Sequence, residues 1–178
     1  MKCLRILGAG VILSGMIICS TAYAEEAKAE LKNVQGEVVG NAVLSDILDG
    51  VKVSLTINKL TAGPAVFPGL HGFHIHSVGK CEPPDFASAG PHFNPTNKKH
   101  GHLNKEGAHA GDLPNVMVGT DGKGKLEAIA KGVTLGKGPN SLLGPEGSSL
   151  VIHANIDDDM TDPSGNSGAR IACGVVTQ

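Results

Sequence analysis

Val51-Lys52-Val53-Ser54-Leu55-Thr56-Ile57 alternates apolar and polar side chains without a break. A period of two is the spacing of a strand with one face buried. Comparable short runs lie at Gly36–Val43, Leu70–His76, Asn115–Val118, Lys125–Ala130, Ser149–His153 and Arg170–Val176. Gly, Pro, Asn and Asp separate them, and no segment shows a long 3.6-residue apolar period with caps. The pattern predicts an all-β chain, an antiparallel sandwich or flattened barrel of about eight strands.

Two stretches break this rhythm. Ser77–Gly111 is rich in Pro, Gly, Lys and His, and Asn155–Gly168 carries Asp157, Asp158, Asp159 and Asp162 among Gly and Ser. Long loops inside a compact domain are uncommon unless they carry function, so a rigid β scaffold with two functional loops is expected. Glu25–Glu30 is polar and reads as a frayed start to the domain.

The first twenty-four residues read as a cleaved export signal. Lys2 and Arg5 precede a short apolar run from Ile6 to Cys19, and Ala22-Tyr23-Ala24 offers small residues where a signal peptidase reads. The run is too short and wrongly flanked for a spanning helix. Cys19 as a lipidation site is the competing reading, disfavoured because Ile18 stands where a small residue is needed. Residues 25–178 then form a single domain. The signal holds two basic residues and no acid, so 15 basic against 17 acidic becomes 13 against 17, and net charge falls from −2 to −4. A broadly basic nucleic-acid surface is thereby excluded. Cys81 and Cys173 are the cysteines left after cleavage. In an oxidising compartment an even pair reads as one disulfide, the alternative being two buried thiols. A bridge between them would close a loop of roughly ninety residues, for which the chain-entropy model gives on the order of 4–5 kcal/mol.

All eight histidines lie between His71 and His153, and seven of them between His71 and His109. Such crowding in a Gly/Pro-rich stretch of an exported chain points to metal. In Leu70-His71-Gly72-Phe73-His74-Ile75-His76, strand alternation puts His74 and His76 on one face, projecting outward as a pair of nitrogen ligands. Phe73, Ile75 and His71 take the core face, where His71 serves to bond backbone groups near the strand end. Farther on, His92, His100, His109 and Asp112 supply three imidazoles and a carboxylate, the donor set of a closed tetrahedral zinc site. His153 ends a strand and can return to the His74/His76 face.

Gly72-Phe73-His74-Ile75-His76, Gly90-Pro91-His92-Phe93-Asn94-Pro95, Gly111-Asp112-Leu113 and Gly168-Ala169-Arg170-Ile171-Ala172-Cys173-Gly174 closely resemble the signature segments of copper/zinc superoxide dismutases. The match runs in order from about Val34 to Val176. The resemblance implies a Greek-key barrel and dismutation of superoxide to oxygen and hydrogen peroxide, with one copper and one zinc per subunit. It implies copper on His74, His76, His92 and His153, and zinc on His92, His100, His109 and Asp112, with His92 shared. It further implies an intrachain Cys81–Cys173 disulfide and Asp157 as the carboxylate joining the two sites. Arg170 is implied as the cation beside copper and His92 as the proton carrier. His102 has no role in the family pattern and reads as a solvated loop residue. The position of Cys81 resembles bacterial periplasmic members, whereas the His92-to-His100 interval resembles animal ones. Homodimer and monomer, and the dimer face, therefore stay open. The superoxide anion is the expected partner; neither nucleic acid nor a membrane anchor is expected.

Two other classes compete. A copper carrier on the same sandwich would typically lack some copper ligands or the Arg, and this chain has all of them. A zinc hydrolase needs an open zinc position, which a four-ligand set does not leave.

Overall fold

The structure, a computed structural model, describes residues 25–60 and 68–178. The expected signal at residues 1–24 lies outside the described residues. Eight strands follow in chain order: β1 Glu26–Asn33, β2 Val38–Ile47, β3 Gly50–Ile57, β4 Gly69–His76, β5 Asp112–Val118, β6 Gly124–Lys131, β7 Ser149–His153 and β8 Arg170–Val175. They form one sheet in the order β5-β4-β7-β8-β1-β2-β3-β6, with every ladder antiparallel. The two outermost strands are consecutive in sequence and joined by a tight turn, Gly119 N–H donating to Lys123 O at 2.8 Å. The sheet is thus a nearly closed barrel, and the return of β8 beside β1 is the Greek-key feature.

Alternation sets the barrel interior, as in β3, where Val51, Val53, Leu55 and Ile57 are buried. β7 is buried along its whole length because both of its faces are covered. Leu150 and Ile152 enter the main core, while Val151 joins Phe86, Ala89 and Cys173 in a second apolar cluster. No helix among the described residues is long and apolar enough to cross a membrane.

Two expectations are corrected. Glu25–Glu30 is not frayed: Glu26–Asn33 is strand β1, with Ala27, Ala29, Leu31 and Asn33 buried and the charged residues between them facing out. Ala, Glu and Lys are weak strand formers, and pairing with β2 and β8 overrides that local preference. Secondly, His74 and His76 do not face solvent; both are buried, because the two long loops fold back over that side of the barrel. Phe73 and Ile75 lie in the core as expected. A third long connection, residues 132–148 between β6 and β7, packs against the barrel through Val133, Leu135 and Leu142.

Candidate metal centre

The first long loop is seated by backbone bonds that place its histidines. Phe93 N–H donates to Ile75 O at 2.8 Å, Ile75 N–H to Gly111 O at 2.9 Å and Gly111 N–H to Phe93 O at 2.8 Å. His92 is thereby set opposite His76 as an isolated antiparallel bridge. His153 faces Arg170 across the β7–β8 ladder, at a register shift. Seven histidines are buried; the exception is His102.

The side chains converge into two adjoining groups, His74/His76/His92/His153 and His92/His100/His109/Asp112, with His92 common to both. Within each group the candidate ligand atoms lie within 4.8 Å of one another. In the second group the Nδ1 atoms of His92, His100 and His109 stand 2.9, 3.1 and 3.1 Å from Asp112 Oδ1. Asp112 Oδ2 is held by the N–H groups of Gly101 at 2.9 Å and His109 at 3.0 Å. Three nitrogens and one oxygen around one point fit zinc.

In the first group, the ring nitrogen facing away from the centre is tied to an acceptor. His76 Nδ1 donates to Gly90 O at 2.8 Å, His153 Nδ1 to Gly168 O at 3.1 Å and His74 Nε2 to Asp157 Oδ2 at 2.6 Å. These acceptors fix the tautomers and leave lone pairs pointing inward at His76 Nε2, His153 Nε2 and His74 Nδ1. His76 Nε2 and His153 Nε2 approach to 3.4 Å. His74 Nδ1 and His92 Nε2 are buried without a hydrogen-bond partner. Orphaned imidazole nitrogens are costly in a protein interior, and four converging nitrogens are a donor set that suits copper. Both groups therefore fit the metals.

Asp157 joins them: its Oδ1 accepts from His100 Nε2 at 2.9 Å while Oδ2 accepts from His74. Arg170 donates from Nη1 to Phe86 O and from Nη2 to Gly90 O, both at 2.7 Å. Gly90 O thus holds a ring of the first group and the guanidinium together. Gly90 has φ +74, and a Cβ there would lie 2.9 Å from Val78 Cγ2, so this turn requires glycine. Cys81 and Cys173 are disulfide-bonded, with Cα atoms 5.6 Å apart, and they pack with Phe86 and Ala89. His71 does not join either group; its Nδ1 donates to His153 O at 2.8 Å, as expected of a backbone-bonding ring. His102 is exposed and pairs with Asp159 Oδ1 at 3.0 Å. The sequence reading did not single out Phe86 or Gly90 as acceptors, nor Asn115, whose side chain grips Asp157; a carbonyl's direction leaves no mark in residue identity.

Burial, then the charges of neighbouring rings, pushes His76 down to about 2 and His153 to about 3. Burial likewise lowers His92 to about 4, against the hydrogen bond that its Nδ1 donates to Asp112. Burial opposes a charge on His100 too, but hydrogen bonds to Asp112 and Asp157 win and raise it to about 10. The same contacts hold both carboxylates below their usual range, against the cost of burial. In the unfolded chain the rings titrate near 6.5. Between that value and their lowered ones the unfolded state binds more protons, so the fold loses stability as pH falls. His100 acts in another window: its contribution is complete below 6.5 and is lost as pH rises through about 10. The protein stripped of metals should therefore melt at a lower temperature at pH 5 than at pH 7. His76, His92 and His153 each remove up to about 1.4 kcal/mol per pH unit. Equal melting temperatures would contradict this.

The family model for copper/zinc superoxide dismutase (SODC) matches residues 34–176. A superoxide dismutase [Cu-Zn] of Aquifex aeolicus is 44% identical over 170 residues, covering 94% of this chain and 96% of that protein. An extracellular superoxide dismutase [Cu-Zn] of Brugia pahangi is 41% identical over 159 residues, covering 84% of this chain and 74% of the relative. The crystal structure of a SOD-like protein from Bacillus subtilis superposes with a TM-score of 0.77 at 42% identity, covering 84% of this chain and 97% of that one. With its barrel, its two adjoining donor sets and this continuous similarity, the chain belongs to the copper/zinc superoxide dismutase family.

Proposed function

We propose that this chain dismutates superoxide with copper held by His74, His76, His92 and His153 beside zinc held by His92, His100, His109 and Asp112. The observation that carries the reading is His92, which belongs to both donor sets and turns one ring nitrogen toward each. Two superoxide anions and two protons give one dioxygen and one hydrogen peroxide. When bound, copper supplies the one-electron exchange that this reaction needs and zinc cannot provide. The remaining work belongs to the chain. His92 Nε2 is the atom at which a proton can be held between the two half-reactions, and burial keeps it free of a proton at neutral pH. Asp157 fixes His74 and His100, so both sites share one anchor. His100 Nε2–H donates to the buried Asp157 carboxylate, a charge-assisted bond that leaves Nδ1 to the zinc set.

Arg170 attracts the anion and orients it at the copper set. Its positive charge is among the causes that lower His76 and His153, which reflects its closeness to both rings. Two carbonyls hold the guanidinium still, and the disulfide packs beneath the segment that supplies them. A fixed cation matters more here because the sequence after residue 24 is net acidic.

The metal-loaded protein should contain one copper and one zinc and consume superoxide, with zinc alone giving no turnover. His92→Ala should lose turnover and alter the copper spectrum; unchanged values for both would reject the shared-ring reading. Arg170→Glu should slow turnover most at low ionic strength, where screening is weakest. Superimposable salt curves for mutant and parent would show that Arg170 does not steer.

The signal-like residues 1–24 and the similarity to an extracellular relative support export, here read as export to a periplasm. The mass of the protein recovered from the periplasmic fraction should correspond to a chain beginning at Glu25. A full-length mass, or a lipid adduct on Cys19, would refute cleavage there.

A further inference from the structure

Asp157 is bonded to both metal groups, yet it sits in a loop rather than in a strand. Its carboxylate can reach His74 and His100 together only if its backbone is held in one place. That hold comes from Asn115. Asp157 N–H donates to Asn115 Oδ1 at 2.8 Å, and Asn115 Nδ2 donates to Asp157 O at 2.9 Å. One side-chain amide thus grips both backbone groups of one residue, 42 positions away in sequence.

Asn115 lies on β5, three residues after Asp112, and β5 is paired with β4 on both sides of a register shift, at His71↔Val116 and His74↔Asp112. A single strand therefore carries the zinc-set carboxylate and the amide that holds the linking carboxylate. Tight backbone approaches complete the seat of Asp157. Gly165 has φ +62, and a Cβ on it would collide with Asp157 Oδ1 and lie 2.7 Å from His100 Nε2. A Cβ on Gly72 would lie 3.4 Å from Asp157 Cβ and 3.2 Å from His74 Cε1. Within that seat the loop backbone is pressed close, and the Asn115 amide fixes where along it Asp157 stands.

We infer that Asn115 is a positioning residue for both metal sites, acting through Asp157 to aim Nδ1 of His74 and Nδ1 of His100 at their respective ions. The inference rests on the ligand assignment proposed above. Both ends of the Asn115 amide bond the backbone of Asp157, so its effect on metal binding passes through Asp157.

The test is a double-mutant cycle read as zinc affinity of the metal-depleted full chain, by competition with a chelator, and as the visible spectrum of Co2+ placed in the zinc site. Asn115→Ala should lower zinc affinity within the range of about 10–100-fold typical of outer-shell partners and change the cobalt spectrum. In an Asp157→Ala background the same replacement should change affinity by less than about twofold. Asn115→Asp keeps the acceptor for Asp157 N–H and loses the donor, so its affinity should fall between parent and alanine. Should Asn115→Ala not melt cooperatively, Asn115→Ser and Asn115→Asp carry the same comparison. Parent-like affinity in any folded alanine or serine variant overturns the inference. An equal loss with Asp157 absent does so too, because it marks general destabilisation. Asp112→Ala separates the two readings. If it retains parent affinity, the ligand assignment fails; if it abolishes binding while the Asn115 variants bind normally, the role of Asn115 alone fails.

Discussion

An imidazole nitrogen removed from water must find a partner, and this protein buries seven imidazoles in and around one small volume. That requirement organises the rest of the molecule. At His74, His76 and His153 the outward nitrogen is met by Asp157, Gly90 O and Gly168 O. Once those bonds are made, the inward nitrogens have lone pairs and no donor to receive. His74 Nδ1, and the Nε2 of neighbouring His92, have no hydrogen-bond partner at all. Such a set of nitrogens is suited to cations, and the positions of the acceptors decide which nitrogen of each ring faces the centre.

The same accounting explains why the loops are held so firmly. Gly90 O serves His76 and Arg170 together, so the guanidinium and a ring of the first donor group share one backbone atom. The Cys81–Cys173 bond and the Phe86/Ala89 cluster lock that segment to Val151 on β7, whose other neighbours in sequence face the barrel core. On the far side, Asp157 is tied to β5 through Asn115. The barrel gives both loops a rigid floor, and a few polar bonds at the loop edges convert that rigidity into ligand geometry.

Much of the architecture was legible from period-two alternation. β3 is the clearest case, matching the expected Val51–Ile57 run with one residue added at its start. The candidate donors were legible because residue type limits chemistry: three His and one Asp are a donor set suited to zinc, and the structure brings them together. β1 was misread because Ala, Glu and Lys carry little strand preference, and its ladders with β2 and β8 supplied what the local sequence lacked. The burial of His74 and His76 was missed for a related reason. Alternation reports which face of a strand a residue takes, not what later covers that face.

The sequence by itself determined the strand periodicity, the inventory of nitrogen and oxygen donors, and the cysteine pair available for bridging. Only the tertiary structure decided which donors meet. His76 and His153 are 77 residues apart, and Asp157 and His74 are 83 apart, so no local pattern encodes their contact. It also decided which ring nitrogen faces inward, because that choice belongs to carbonyl oxygens such as those of Gly90 and Gly168. A backbone carbonyl is chemically the same in every residue, so its role exists only once the chain has folded.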